Sequence, residues 1–261
     1  MEYAGKTALI TGASSGIGLA YAQEFARRGA NLVLVARRKS LLEKLAKEIK
    51  AASKATIEII EMDLSALDAG AKLVKAVEAK NLTVDFLVNN AGFGTSGRLI
   101  HENRDEVQRE VVVNVATLVD LTTAYLPGML KRDFGAIVNI ASTASFQPVP
   151  GMAVYAATKA FVRSFTSAVW GELGDSKVRV LSVSPGATRT EFFDVAGAKP
   201  VGELAPVTNV VSTTFKALES RKSKPSVVDG TRNRLMAVVS SKLPFKMVVK
   251  VAGAMFLNKE K

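Results

Sequence analysis

The chain has 261 residues, 48% of them hydrophobic and 23% charged, with a formal net charge of +11. That balance is ordinary for a globular protein and excludes a disordered or collagen-like chain. With no cysteine and a single histidine, disulfides, thiolate nucleophiles, a multi-histidine metal site and a Ser-His-Asp triad are excluded as well, and no metal site is expected. His101 reads as a surface loop residue. The absence of cysteine fits a reducing, cytoplasmic setting. The lysines are spread along amphipathic helical stretches, so the positive charge reads as solvated helix faces and no nucleic-acid partner is expected.

Short apolar or β-branched runs at Thr7–Ile10, Asn31–Val35, Ile57–Glu61, Val84–Asn89, Ala136–Ile140 and Val178–Val183 predict strands. Helical patterns lie between them near 16–28, 40–52, 69–80, 104–131 and 154–174. Strands that are apolar nearly throughout are covered on both faces. Their alternation with helices predicts an α/β fold with a doubly wound parallel sheet, helices on both faces and right-handed crossovers. A short strand near Pro225–Val228 brings the sheet to about seven strands. No Gly-Pro-Ser linker splits the chain, so a single domain is expected, its body covering 1–230. Residues 231–261 form a basic, apolar helical extension in which Pro244 separates two short helices. The N-terminus runs almost directly into a strand with no apolar signal core, and no apolar run is expected to reach the ~18–20 residues that span a bilayer.

The first strand ends in Thr11-Gly12-Ala13-Ser14-Ser15-Gly16-Ile17-Gly18 and opens a helix. Glycines at this junction let the backbone turn sharply and approach a ligand. The helix N-terminus then offers N–H groups and positive dipole to a pyrophosphate, with Ser14 and Ser15 adding hydroxyls. The spacing differs from both G-x-G-x-x-G and the P-loop. It resembles the Thr-Gly-x-x-x-Gly-x-Gly turn of the short-chain dehydrogenase/reductase family, and further motifs carry the resemblance over roughly residues 5–190. These are Asp63-Leu64 after the third strand, Asn89-Asn90-Ala91-Gly92 after the fourth, and Pro185-Gly186-Ala187-Thr188-Arg189-Thr190 after the sixth. The amino-terminal half is also similar to 3-oxoacyl and hydroxysteroid reductases. The resemblance implies a Rossmann-like fold and a nicotinamide dinucleotide on Gly12, Ser14, Ser15, Gly16, Ile17 and Gly18. It places the adenine at Asp63 and Leu64, and the backbone of Asn90, Ala91 and Gly92 against the cofactor. The carboxamide falls to Pro185, Gly186, Thr188 and Thr190. The second strand ends in Val35-Ala36-Arg37-Arg38, with no acid for a ribose diol. Two guanidinium groups that match a 2′-phosphate favour NADP(H) over NAD(H).

Tyr155 and Lys159, four apart in a predicted helix, share one face. Bringing a phenol from its ordinary pKa of ~10 toward neutrality takes about 3–4 kcal/mol, and an adjacent ammonium in a desolvated site favours the phenolate. Such a phenol can protonate an alkoxide or deprotonate an alcohol. Ser142, thirteen residues before Tyr155, matches the family's carbonyl-orienting serine. Asn114, set among Val111, Val112, Val113 and Val115, resembles the asparagine that holds a helix kink and a water in the proton relay. The resemblance therefore implies a carbonyl–alcohol oxidoreductase in which Asn114, Ser142, Tyr155 and Lys159 act together, Tyr155 exchanging the proton, Tyr155 and Lys159 also contacting the cofactor, and Lys159 binding its ribose. NADP(H) suggests ketone reduction as the working direction. A dinucleotide-binding sensor and a sugar-nucleotide epimerase or dehydratase are the alternatives.

Residues 191–210 occupy the family's substrate-loop position. Phe192, Phe193 and Val195 form either an apolar lid for a lipophilic carbonyl or acyl substrate, or packing for the loop itself. The long helices at 104–131 and 154–174 resemble the family's pairing surfaces, which implies a homodimer or homotetramer. For the basic extension at 231–261 three readings stand: peripheral contact with a membrane, a cover for the substrate mouth, or a subunit contact.

Overall fold

A computed structural model describes residues 1–200 and 202–257, so Val201 in the substrate loop and residues 258–261 of the extension lie outside the described residues. The apolar runs form strands with ends shifted by at most two residues: β1 Thr7–Thr11, β2 Asn31–Ala36, β3 Ile57–Glu61, β4 Phe86–Asn89, β5 Ala136–Ile140, β6 Arg179–Ser184 and β7 Ser226–Val228. Every residue of β1, β4 and β5 is buried, as strands covered on both faces require. Val84 and Asp85 fall just before β4. There the Asp85 carboxylate accepts the Thr7 N–H (3.1 Å), anchoring the start of β1.

All seven strands pair in parallel in the order β3-β2-β1-β4-β5-β6-β7. The winding reverses between β1 and β4, so the loops leaving their C-terminal ends diverge and open a crevice there. On one face lie α1 (Gly16–Arg27), α2 (Lys39–Ala52) and α8 (Val207–Leu218), which meet the sheet through Tyr21, Phe25, Leu42, Leu45 and Phe215. Phe25 packs edge-on to Phe215 with ring centroids 5.0 Å apart. On the other face α3 (Ala69–Glu78), α5 (Thr117–Lys131) and α6 (Ala153–Glu172) contribute Leu73, Val77, Leu121, Met129 and Val169.

The segment expected as one helix at 104–131 is α4 (Arg104–Val111), a π-helical turn at Val112–Ala116, and α5 in continuity. Asn103 caps it, its Oδ1 accepting the N–H groups of Asp105 (2.9 Å) and Glu106 (3.2 Å). By length (28 residues) and mean hydropathy (1.3 over its most apolar window) this helix could cross a membrane, which corrects the expectation that no segment qualifies. Its Leu118, Leu121, Thr122 and Met129 are buried in the fold. After β6 come the short α7 (Phe192–Val195) and α8. As the position of Pro244 implies, the extension then splits into α9 (Thr231–Lys242) and α10 (Phe245–Phe256).

Candidate active site

The glycine-rich turn sits at the crevice, and its glycines are there for space. Gly12 and Gly16 take φ of +66° and +56°, a conformation that strains any side chain. A Cβ on Gly12 would stand 2.8 Å from Asn90 Nδ2, and one on Gly18 only 2.3 Å from the Gly12 carbonyl. The Asn90 amide explains this crowding: it donates to the carbonyls of Thr11 (2.9 Å) and Gly12 (3.3 Å), while Thr11 Oγ1 accepts the N–H groups of Asn90 and Ala91 (2.9 Å each). Strand ends β1 and β4 are thereby locked around the turn. The first N–H groups of α1 have no carbonyl of their own helix to bond and face this crevice, the arrangement that suits a phosphate.

Arg38, expected on a 2′-phosphate, is held by an internal anion. Its guanidinium pairs with Glu191 (Nη2 to Oε2, 2.7 Å) and donates to Ser15 Oγ (2.9 Å) and Ser14 Oγ (3.2 Å). The Ser15 hydroxyl in turn donates to Glu191 (2.9 Å). Arg37 is exposed on the same rim. Asp63 also has partners of its own. Its Oδ1 accepts from the Ser65 hydroxyl (2.7 Å) and N–H (3.0 Å), and its Oδ2 from Arg109 (3.2 Å). Against the upward pull of burial, those bonds and the charges of Arg109 and Arg37 keep it below the usual carboxylate range. Leu64 is buried, its carbonyl accepting the Thr117 hydroxyl.

Asn114, Ser142, Tyr155 and Lys159 come from the π turn, the end of β5 and α6, and converge on one wall of the crevice. The π turn breaks the regular ladder at Asn114, whose Nδ2 donates to the Phe93 carbonyl (2.9 Å) and Thr158 Oγ1 (3.1 Å). Its Oδ1 is buried with no partner among the described residues. Lys159 is 5% exposed, and its Nζ donates to the Ile140 carbonyl (2.8 Å). A Cβ on Gly92 would lie 2.5 Å from Asn114 Oδ1 and 3.5 Å from Lys159 Nζ, so both polar atoms address the same small space. The Tyr155 ring packs on Phe192 (centroids 4.9 Å apart), and Gly94 makes room for that contact: its Cβ would fall 2.9 Å from the Tyr155 ring. Ser142 Oγ accepts the Ala144 N–H (3.1 Å).

The electrostatics correct one expectation. Burial pushes the Tyr155 phenol up, not down, to about 12; the Ser142 hydroxyl pulls back and the Glu110 carboxylate adds to the rise. Lys159 lies 5.8 Å from the centre of the Tyr155 ring, not on its oxygen, and burial lowers its own pKa to about 8, with Glu110 pulling it back up. Spacing in sequence places the two side chains on one face; it does not say how dry that face is, and dryness decides the sign.

At the far end, Thr188 Oγ1 donates to the Gly186 carbonyl (2.9 Å), the Pro185 carbonyl accepts the Thr143 N–H (2.9 Å), and Thr190 Oγ1 accepts the Phe192 N–H (3.3 Å). A Cβ on Gly186 would strike Asn233 Nδ2 at 2.3 Å, so α9 is pressed onto this turn. Apart from Gly18 and Asn114, which stand behind its wall, the predicted site residues border one cavity of about 510 Å³, which runs from Arg38 to Phe192, Met236 and Met255. That volume lies within the range of sites that take a drug-sized ligand.

Four residues of this neighbourhood escaped the sequence reading. Glu110 is fully buried, with Oε2 accepting the Thr95 N–H and hydroxyl (2.9 Å each). The Thr95 hydroxyl also lies in hydrogen-bond contact with Glu102. An acid four residues before Asn114, directly against a run of valines, was the available signal. Gly94, Glu191 and Asn233 carry no local signal, because their partners are far away in sequence.

The profile of the short chain dehydrogenase family matches residues 6–200. A short chain dehydrogenase of Pseudocercospora fijiensis is 39% identical over 190 residues, 72% of this chain but only 61% of that protein's length. The NADP-dependent 3-hydroxy acid dehydrogenase of Schizosaccharomyces pombe is 35% identical over 190 residues, 72% of this chain and 73% of the other. The very-long-chain 3-oxoacyl-CoA reductase of Bos taurus is 30% identical over 254 residues, 95% and 78% of the two chains. Among solved structures, a short-chain dehydrogenase from Sphingobium yanoikuyae in complex with NADPH superposes with a TM-score of 0.80 at 34% identity, covering 91% of this chain and 93% of that one. The chain belongs to the short chain dehydrogenase family. It is a nucleotide-binding oxidoreductase with a Rossmann-like fold.

Proposed function

We propose that the protein is an NADP(H)-dependent reductase that interconverts a lipophilic ketone and a secondary alcohol, with Tyr155 as the general acid and base. The observation that carries this reading is the convergence of Tyr155, Ser142 and Lys159 on the wall of a cavity that begins at the glycine-rich turn, with Asn114 Oδ1, which has no partner among the described residues, behind Gly92 on that wall. The crowding at Gly12, Gly18 and Gly92 leaves backbone surface against which a dinucleotide fits. When bound, the nicotinamide supplies or accepts the hydride at the substrate carbon. The protein's part is the proton. Ser142 orients the carbonyl oxygen, the Tyr155 phenol gives its proton to the developing alkoxide, and Lys159 with Asn114 restores that proton through the space beside Gly92.

A phenol held near 12 keeps its proton at neutral pH, which favours reduction over oxidation. Reduction with NADPH is therefore expected to be flat from pH 6 to 7 and to fall only as Lys159, held near 8, loses its proton. Alcohol oxidation needs the phenolate, so its kcat/KM is expected to rise about tenfold per pH unit over the same interval. Steady-state profiles in both directions check this, and an oxidative profile as flat as the reductive one would remove Tyr155 from the role of base.

The preference for NADP(H) is supported by Arg37 and Arg38 at the end of β2, by the NADP-dependent yeast relative and by the NADPH-bound structural neighbour. Glu191 competes with a phosphate for Arg38. Hence Arg38→Ala is expected to weaken NADPH binding about 10- to 100-fold with little change for NADH. Glu191→Gln is expected to tighten NADPH. Fluorescence titration of the two nucleotides reads both; equal effects on NADH would assign Arg38 to the fold and not to the phosphate. An apolar substrate is supported by Phe192, Phe193, Val195 and Met236 along the cavity. A homodimer or homotetramer through the long helices is supported by the exposed Val111, Leu130 and Phe161, and light scattering measures it.

A further inference from the structure

We infer that α9 and α10 form a docking face for an anionic lipid bilayer, placing the mouth of the cavity at the membrane surface. Two helices that close a fold normally hide their apolar residues. Among the described residues, α9 buries only Ala237 and α10 only Val248 and Ala252. Leu235 (65% exposed), Phe245 (71%), Met247 (51%) and Val251 (47%) stand in the open instead. The same segment carries Arg232, Arg234, Lys242, Lys246 and Lys250, and no acidic residue occurs between Thr231 and Leu257.

Exposed apolar side chains interleaved with long cations fit the boundary of an anionic bilayer. The apolar groups enter the acyl region while the lysine and arginine stems reach to the headgroups. A second copy of the chain fits less well: a two-fold contact sets the patch against itself, five cations facing five. The patch is also continuous with the cavity. Met236 and Met255 line the cavity wall and are themselves 54% and 40% exposed, so an apolar molecule leaving the lipid meets apolar side chains at the mouth of the cavity that holds Tyr155. This entry route rests on the reductase reading; the docking itself does not.

The full-length chain, floated with phosphatidylcholine vesicles and with vesicles holding 30% phosphatidylglycerol, tests the inference. Binding is expected to the anionic vesicles and to fall as salt is raised. The triple substitution Lys242→Glu, Lys246→Glu, Lys250→Glu is expected to lower the partition coefficient by at least about 100-fold, since each cation near such a surface contributes about fivefold. Phe245→Ser with Val251→Ser is expected to abolish the binding that survives high salt. None of these five residues borders the cavity, so reduction of a water-soluble ketone should be unchanged in both variants. Failure of the wild-type chain to float with anionic vesicles overturns the docking face. So does a patch variant that shifts the oligomeric state, or one that abolishes capture of an acidic protein, while vesicle binding is absent. Vesicle binding without any ketone reduction would overturn the reductase reading and leave the docking face standing.

Discussion

Tyr155→Phe is expected to lower reductive turnover by about 10³-fold or more while leaving the fold and the nucleotide affinity intact. A positioned general acid contributes typically about 10²–10⁴-fold, and this substitution removes only the oxygen that carries the proton. The ring stays, with its contact to Phe192 and the room provided by Gly94, so packing gives no reason for collapse. Lys159 keeps its bond to the Ile140 carbonyl, and the glycine-rich turn lies on other elements, so NADPH binding should move by less than about threefold. Single-turnover rates with excess enzyme separate the proton step from product release. Near-wild-type turnover in a folded Tyr155→Phe protein would end the proposed mechanism, whatever the cofactor.

Much of this architecture was legible in the sequence because its cause is local. Strands buried on both faces must be apolar nearly throughout, and β1, β4 and β5 are, apart from Thr7, Thr11, Asn89 and Asn139. A turn that touches Asn90 and its own neighbouring carbonyl must be built from glycine, and Gly12 and Gly18 are. Asn114 among valines marked a buried amide, and the structure shows the π turn that its side chain bridges to Phe93 and Thr158. What could not be read depends on distance in space. Glu191 reaches Arg38 across 153 residues of sequence, and nothing around either residue signals the other. The pKa of Tyr155 follows from the depth of its burial, which a four-residue spacing does not encode. Three readings of the C-terminal extension stood open for the same reason. Its composition indicated helices and charge, but only the packing of Asn233 on Gly186 and of Met236 and Met255 along the cavity shows where the helices lie.

Glu110 yields the second large effect, and it is one of stability against pH. Burial, aided by the charge of Glu102, pushes its carboxyl up to about 7 from 4.5, while Thr95 and Lys159 pull it back. A raised acid binds its proton more tightly folded than unfolded, so the protonated form stabilises the native state below pH 4.5. That contribution is lost progressively as pH rises to about 7 and is absent above it. The size is about 3 kcal/mol. Lys159 acts in the opposite sense. Its amine falls to about 8 from 10.5, so the buried ammonium opposes folding below pH 8 and is relieved as pH climbs from there toward 10.5. In Glu110→Gln the amide oxygen still accepts the two Thr95 bonds, and no charge has to be buried. The variant is therefore expected to match wild type at pH 4.5 and to exceed it by about 2–3 kcal/mol at pH 7.5. Part of that gain is offset because Lys159 loses the one carboxylate that supports its charge. The same loss should carry the alkaline limb of reductive kcat/KM to lower pH, an effect that packing alone does not produce. Urea denaturation at the two pH values and the rate profile together decide the matter. Equal stability differences at pH 4.5 and 7.5 would show that Glu110 binds its proton no more tightly in the folded chain than in the unfolded one, and the acid would then be a structural ligand of Thr95 and nothing more.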